Sequence, residues 1–218
     1  MNSSAPQARR RPAARYRPTA IPSCATIDRA QRAALLRGSV PEGGAGLMRH
    51  VADNHRCNML LWEQEDLARR HDAPDAEIVG NKRAIDRYNQ ARNDAVEAID
   101  EALLAAIAVA PRPDAWINSE TAGSIIDRLS INSLKLHHMG LEAQRDDAGD
   151  AHRARCRSRL QRLAQQRRDL LGCLDALLRG MHDGRCTYRI YRQFKMYNDP
   201  ALNPYLRRAA CADRAQHG

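Results

Sequence analysis

The sequence predicts an all-α protein, an antiparallel bundle of four long helices with a C-terminal aromatic segment docked on it. Apolar residues recur at three- and four-residue spacing over four stretches of helical length. Segments rich in Gly or Pro separate those stretches, and no alternating apolar and polar run of comparable strength argues for a strand. Short connections between long helices favour antiparallel neighbours. A chain of 218 residues has room for one core plus tails.

Residues 1–24 read as a disordered, Arg-rich arm. Arg9, Arg10, Arg11, Arg15 and Arg17 stand in the first twenty residues without a single Asp or Glu, and supply about half of the net charge of +9. Such an arm suits nonspecific contact with phosphate or anionic lipid, and no specific nucleic-acid binding is expected of it. Residues 25–44 read as a short helix, Thr26 to Arg37, closed by Gly38 and followed by a breaker-rich linker. Residues 45–206 form the helical domain, and residues 207–218 a flexible tail.

Within that domain the first long helix runs from Leu47 to about His71, with Val51, Asn54, Asn58, Leu61, Glu65 and Ala68 in register with Leu47. Pro74 and Asp75 open the second, which stops at about Ala110, before Pro111 and Pro113. The third begins around Ser119 and ends near Arg145. The fourth, from Asp150 to Met181, carries an apolar seam of Cys156, Leu160, Leu163, Leu170, Leu174 and Leu177. Tyr188, Tyr191, Phe194, Tyr197 and Tyr205 then give the C-terminal segment its aromatic character.

The arm has no apolar core of a secretory signal and the chain no bilayer-length apolar run, so a cytoplasmic protein with no membrane span is expected. Six scattered cysteines without a C-x-x-C pair read as reduced thiols that fill the core.

The third helix carries the strongest functional signal. Helical spacing places Glu120, Ser124, Asp127, Ile131, Leu134 and His138 on one face, too charged for ordinary core and too apolar for a solvated surface. Burying an unpaired carboxylate is costly, so these groups need partners in a polar network or at a ligand. Asp127 and His138 are about 16 Å apart along the axis and cannot form a dyad. Their partners must come from other helices. On the second helix, Asn89 and Arg92 interrupt the stripe of Ile85, Val96 and Ile99, while Lys82, Asp86 and Gln90 flank them in a dense polar band. Two Glu-x-x-Asp pairs, Glu63/Asp66 and Glu97/Asp100, faintly resemble those of helical nucleotide pyrophosphohydrolases and make Mg²⁺ a candidate cofactor. In the C-terminal segment Arg192 and Lys195 suit an anion that Tyr191 and Tyr197 would cover. No phosphate-binding Gly-rich loop, nucleophile elbow or E-x-x-H pair is present.

Four blocks, in order, resemble the bacterial DUF4254 family, a domain of unknown function. They are Leu61-Trp-Glu-Gln-Glu-Asp66, Lys82-Arg-Ala-Ile-Asp-Arg-Tyr-Asn-Gln-Ala-Arg-Asn-Asp94, Asn118-Ser-Glu-Thr121 with Asp127-Arg-Leu-Ser-Ile131 and His138-Met139, and Tyr191-Arg-Gln-Phe-Lys-Met-Tyr-Asn-Asp-Pro200. The resemblance implies a mostly helical protein and, for many members, genes placed among those for cell-surface glycans; it carries no established reaction. The chain departs from the pattern at Asn132 and Ser133, where apolar residues are usual, which suggests a modified pocket.

Together these readings lead to an enzyme acting on a small anionic molecule of phosphorylated-sugar or nucleotide-sugar type. Glu65, Asp127 and His138 are the acid/base candidates. Lys82, Arg92 and Lys195 would hold the anion, Asn89 and Gln90 would orient it, and Asp86, Glu120, Arg128, Arg192 and Tyr197 complete the ligand-binding set. The competing reading is a non-catalytic binding or scaffold protein, with homo-oligomerisation compatible with either.

Overall fold

The computed structural model describes residues 21–39, 44–192, 196 and 199–207. Five helices carry the fold: α1 (Cys24–Arg37), α2 (Leu47–Leu67), α3 (Asp75–Ile107), α4 (Ala122–Ala143) and α5 (Asp150–His182). A helical turn follows at residues 204–207. Residues 1–20 of the Arg-rich arm, most of the linker, residues 208–218 of the C-terminal tail, and Phe194, Lys195 and Tyr197 lie outside the described residues, while Cys24, expected at the end of the arm, begins α1. None of the described helices is long and apolar enough to cross a membrane.

Helix ends follow local chemistry. Ser23 Oγ accepts from the Thr26 amide at the start of α1, and Gly38 closes it in the left-handed region (φ 67°), its N–H returning to the Ala34 and Leu35 carbonyls. α2 stops about one turn before the predicted His71. There Arg69 and Arg70 fold back onto the carbonyls of Glu65 (2.5 Å) and Leu67 (3.2 Å), satisfying groups that a further turn would have bonded. α4 starts at Ala122, after a Thr121 cap whose Oγ1 accepts from the Ser124 amide at 3.1 Å. Glu120 therefore precedes the helix instead of lying on its face.

α2 packs mainly along α3 and α4 along α5, while α4 also touches α1, α2 and α3. This central position decides which face of α4 is buried. The most buried residues of α4 are Ala122, Ile125, Ile126, Leu129, Ser130, Asn132 and Ser133; of the predicted face Leu134 is also buried, whereas Ser124, Asp127, Ile131 and His138 are half-buried. The predicted charged face is the margin of the buried one. With Ile99, Leu103, Leu170 and Leu174, the α4 residues form the core that α1 closes through Ile27 and Ala34. Most of the predicted α5 seam is buried too, but it contains one residue not anticipated there, Arg167.

Two short strands, β1 (Trp116–Asn118) and β2 (Cys186–Tyr188), pair in parallel with Trp116 opposite Cys186. Three residues each are too few to generate a period-2 signal in the sequence. β2 lies against the end of α5 because Gly180 has no side chain; a Cβ there would stand 2.6 Å from Cys186 Sγ. Tyr188 is buried and its hydroxyl donates to the Asp100 carbonyl at 3.2 Å, but Tyr191 and Tyr205 are exposed. Of the described aromatic residues in this segment, only Tyr188 is seated in the core.

Candidate functional site

The Asn54 and Asn58 positions, spaced one turn apart on the apolar register of α2, bring two buried amides to Asp127. Their Nδ2 atoms donate to the same oxygen, Asp127 Oδ1, at 2.8 and 2.7 Å. Asn58 Nδ2 also reaches Ser130 Oγ at 3.0 Å, and His55 Nδ1 lies 2.7 Å from that hydroxyl. One continuous network thus links α2 to α4. Burial pushes the His55 pKa down to about 4; the Gln31 main chain opposes this electrostatically, though it is not in hydrogen-bonding geometry with Nε2. At neutral pH His55 is an uncharged part of the bundle.

In front of this network a cleft of about 350 Å³ opens between α2, α3 and α4. Asn58, Trp62, Glu65 and Asp66 line it from α2, Asn89 and Arg92 from α3, and Ile131 and Leu134 from α4. Arg69 stands at its edge and binds Glu65 Oε2 at 2.6 Å. The Nε of Arg92 is buried without a hydrogen-bond partner, and among the described residues Arg92 forms no salt bridge. Asp127 does not line the cleft; it stands one hydrogen bond behind the wall, through Asn58.

His138 stacks on Trp62, with ring centroids 4.5 Å apart and planes 3° from parallel. It lines a neighbouring cavity with Trp62, Lys135, Met139, Arg159 and Arg162. Burial, reinforced by the nearby His137, lowers its pKa below the ordinary histidine value. A neutral imidazole can accept a proton, which is the state a base needs.

Other predicted site residues lie elsewhere. Lys82 pairs with Asp86, and Gln90 donates to Asp94 at 2.7 Å, all on the exposed side of α3. One residue of helix turns a side chain by about 100°, enough to separate Gln90 from Asn89. Arg128 binds both Glu120 oxygens at 2.8 Å, and Arg192 faces Glu101 at 3.4 Å; both are surface pairs that do not border the cleft. Lys195 and Tyr197 lie outside the described residues.

The two Glu-x-x-Asp pairs are split by their surroundings. Glu63 and Asp66 are exposed on α2, whereas Asp100 is 2% exposed and its Oδ1 accepts from the Gly123 amide at 2.6 Å, capping α4. Burial raises the Asp100 pKa against the opposing hydrogen bonds from Thr121, Gly123 and Tyr188. Among the described residues no group of three or more His, Cys, Asp or Glu side chains is placed to hold a metal ion.

Two features follow only from tertiary packing. Asn54 and Asn58 were visible as polar members of an apolar register, but their convergence on Asp127 required the packing angle of α2 on α4. Asp100, half of a Glu-x-x-Asp pair in the sequence, is instead the buried cap of α4. The departures Asn132 and Ser133 do not line the α2–α3–α4 cleft: Asn132 Nδ2 ties α4 to α5, donating to the Leu163 carbonyl (3.2 Å) and Gln166 Oε1 (3.1 Å), and Ser133 Oγ donates within α4 to the Leu129 carbonyl (3.0 Å).

Neither a curated protein nor a solved structure matches the chain. A family model described as "Protein of unknown function (DUF4254)" matches residues 48–190, a span that contains every residue lining the α2–α3–α4 cleft. With more than half of its length matched, the chain belongs to the DUF4254 family.

Proposed function

We propose that the α2–α3–α4 cleft binds a small anionic molecule and acts on it by proton transfer, with Arg92 as the anion-binding group. The observation that carries this reading is the Arg92 guanidinium, half-buried with an unpartnered Nε beside Asn58, Asn89 and Trp62. A guanidinium withdrawn from water without a carboxylate partner gains most from a charge-assisted bond to a ligand anion. Glu65, which shares the cleft wall with the more exposed Asp66, is the candidate for proton transfer. Asp127 positions Asn58 from behind, and His138 supplies a neutral imidazole on the far end of the Trp62 stack. A phosphorylated sugar or nucleotide-sugar fits this combination of a cation, amides and one indole.

A thermal-shift screen of the full chain against inorganic phosphate, sugar phosphates and nucleotides tests the reading. A bound ligand at about 100 times its Kd adds about 2.7 kcal/mol and raises the melting temperature by several degrees. Arg92→Ala should remove that shift. No stabilisation by any of these anions, or an equal shift in the variant, defeats the proposal. For catalysis, Glu65→Gln keeps an acceptor oxygen for Arg69 and removes only the titrating carboxyl, so its melting temperature should stay within about 2 °C while conversion of the ligand is lost. Lost stability with activity retained per folded molecule contradicts a role in catalysis.

The non-catalytic reading draws on the Asn54–Asp127–Asn58–Ser130–His55 network, whose bonds tie α2 to α4 and suffice to set the register of the two helices. It predicts ligand binding without turnover.

A further inference from the structure

A third cavity, of about 470 Å³, lies where α1 meets α4 and α5, and none of its lining residues comes from α2 or α3. We infer that it is a separate site for a small amphiphilic anion, a carboxylate or phosphate monoester carried on an apolar chain.

The anionic end is specified by Arg167. Its side chain is only 7% exposed, yet it sits on the cavity wall. Nε donates to Asp28 Oδ1 at 2.5 Å and Nη1 to the Leu129 carbonyl at 2.8 Å, while Nη2 is buried with no partner among the described residues. A buried guanidinium nitrogen without an acceptor is a standing cost that an incoming oxyanion removes. Charge balance points the same way. Asp28 is the one carboxylate on this wall against Arg32, Arg167 and Arg168, and it already serves Arg167 while lying 3.9 Å from Arg32. Arg168 donates to the neutral Gln165 amide oxygen. An added anion would face an excess of cations in a partly desolvated groove, where Coulomb attraction is stronger than at an open surface.

The apolar end is specified by leucines. Leu35, Leu136 and Leu171 are half-buried along the groove, and Leu36 at its mouth is 84% exposed. The volume falls in the range of small-molecule sites. The chain's own N-terminal arm is unsuited to the cavity, because Arg9, Arg10, Arg11, Arg15 and Arg17 would meet three further arginines. The same ligand chemistry occurs in a free acyl anion and in an anionic bilayer lipid.

Titration calorimetry of the full chain with monomeric decanoate and decyl phosphate tests the site, with decanol and inorganic phosphate as the tail-only and head-only probes. Both amphiphiles should bind saturably at one site, and either half alone at least about tenfold more weakly. Arg32→Gln with Arg168→Gln changes exposed residues only. The double variant should keep its melting temperature and lose about tenfold in decanoate affinity, while Leu36→Asp weakens the same probe from the tail side. Arg92→Ala should bind decanoate like the parent, since it belongs to the other cleft. Flotation with phosphatidylglycerol vesicles separates the sources: a chain that floats and is released by decanoate draws the anion from a bilayer, and one that stays in solution takes it free. Inorganic phosphate binding as tightly as decanoate, decanoate binding unaffected in the double variant, or vesicle binding indifferent to decanoate overturns the inference.

Discussion

Replacing Gly123 by alanine is expected to lower the unfolding free energy by about 3 to 5 kcal/mol. Gly123 is the second residue of α4, where the helix meets α3 with no room for a side chain. A Cβ would stand 2.6 Å from the Val96 carbonyl oxygen and 2.9 Å from both Cγ and Oδ1 of Asp100. The first of these is backbone, so the clash cannot be relieved by a rotamer change. α3 and α4 must move apart. That movement also stretches the 2.6 Å bond from the Gly123 amide to Asp100, leaving a buried carboxylate and a helix N-terminus less well satisfied. Urea denaturation followed by circular dichroism measures the loss. Gly172→Ala is a control of opposite sign: nothing lies within 4 Å of its Cβ position on α5, so alanine should stabilise by about 0.5 to 1 kcal/mol through helix propensity. A Gly123→Ala protein within 1 kcal/mol of the parent would show that the two helices are not in this contact.

The second large effect is a loss of stability on acidification, of about 3 kcal/mol from His55 alone. His55 is 1% exposed and its folded pKa is pushed down to about 4 from the ordinary 6.5. Between those values the unfolded chain takes up a proton that the folded chain does not. The His55 contribution is therefore fully present above pH 6.5, shrinks as the pH falls, and is gone below about 4. Asp100, with its pKa raised, acts in the opposite direction, so total stability against pH is not diagnostic. The slope is. His55→Gln should flatten it by up to about 1.4 kcal/mol per pH unit between pH 6.5 and 4, whatever the variant's absolute stability. A slope identical to the parent's would mean that His55 is not held neutral. The consequence reaches the cleft, because His55 is joined through Ser130 to Asn58, which is part of its wall.

Helix positions were readable from the chain because each depends on near neighbours: 3.6-residue periodicity, Pro74 and Asp75 as a start, Gly38 as a stop; the Ser23 and Thr121 caps put the starts of α1 and α4 at Cys24 and Ala122 instead of the expected Thr26 and Ser119, and α3 ends at Ile107, short of the expected Ala110. At the end of α2 the difference comes from side chains that compete with the next turn, those of Arg69 and Arg70. Candidate site residues were readable to a lesser degree. Asn89 and Arg92 were recognisable as polar interruptions of an apolar stripe, and the structure puts both on the cleft with Glu65. Lys82, Asp86 and Gln90 share their stretch of sequence but face solvent, a distinction of one helical step.

Local sequence determined that this chain makes long amphipathic helices, because capping, breaking and periodicity are interactions over four residues or fewer. Packing between distant segments determined what the polar positions mean. Asp127 meets Asn54 across 73 residues, Arg167 meets Asp28 across 139, and Asp100 caps a helix that begins 22 residues later. Whether a buried charge is paired, capping or free for a ligand depends on which groups the neighbouring helices bring within 3 Å of it, and periodicity along one helix carries no information about that distance.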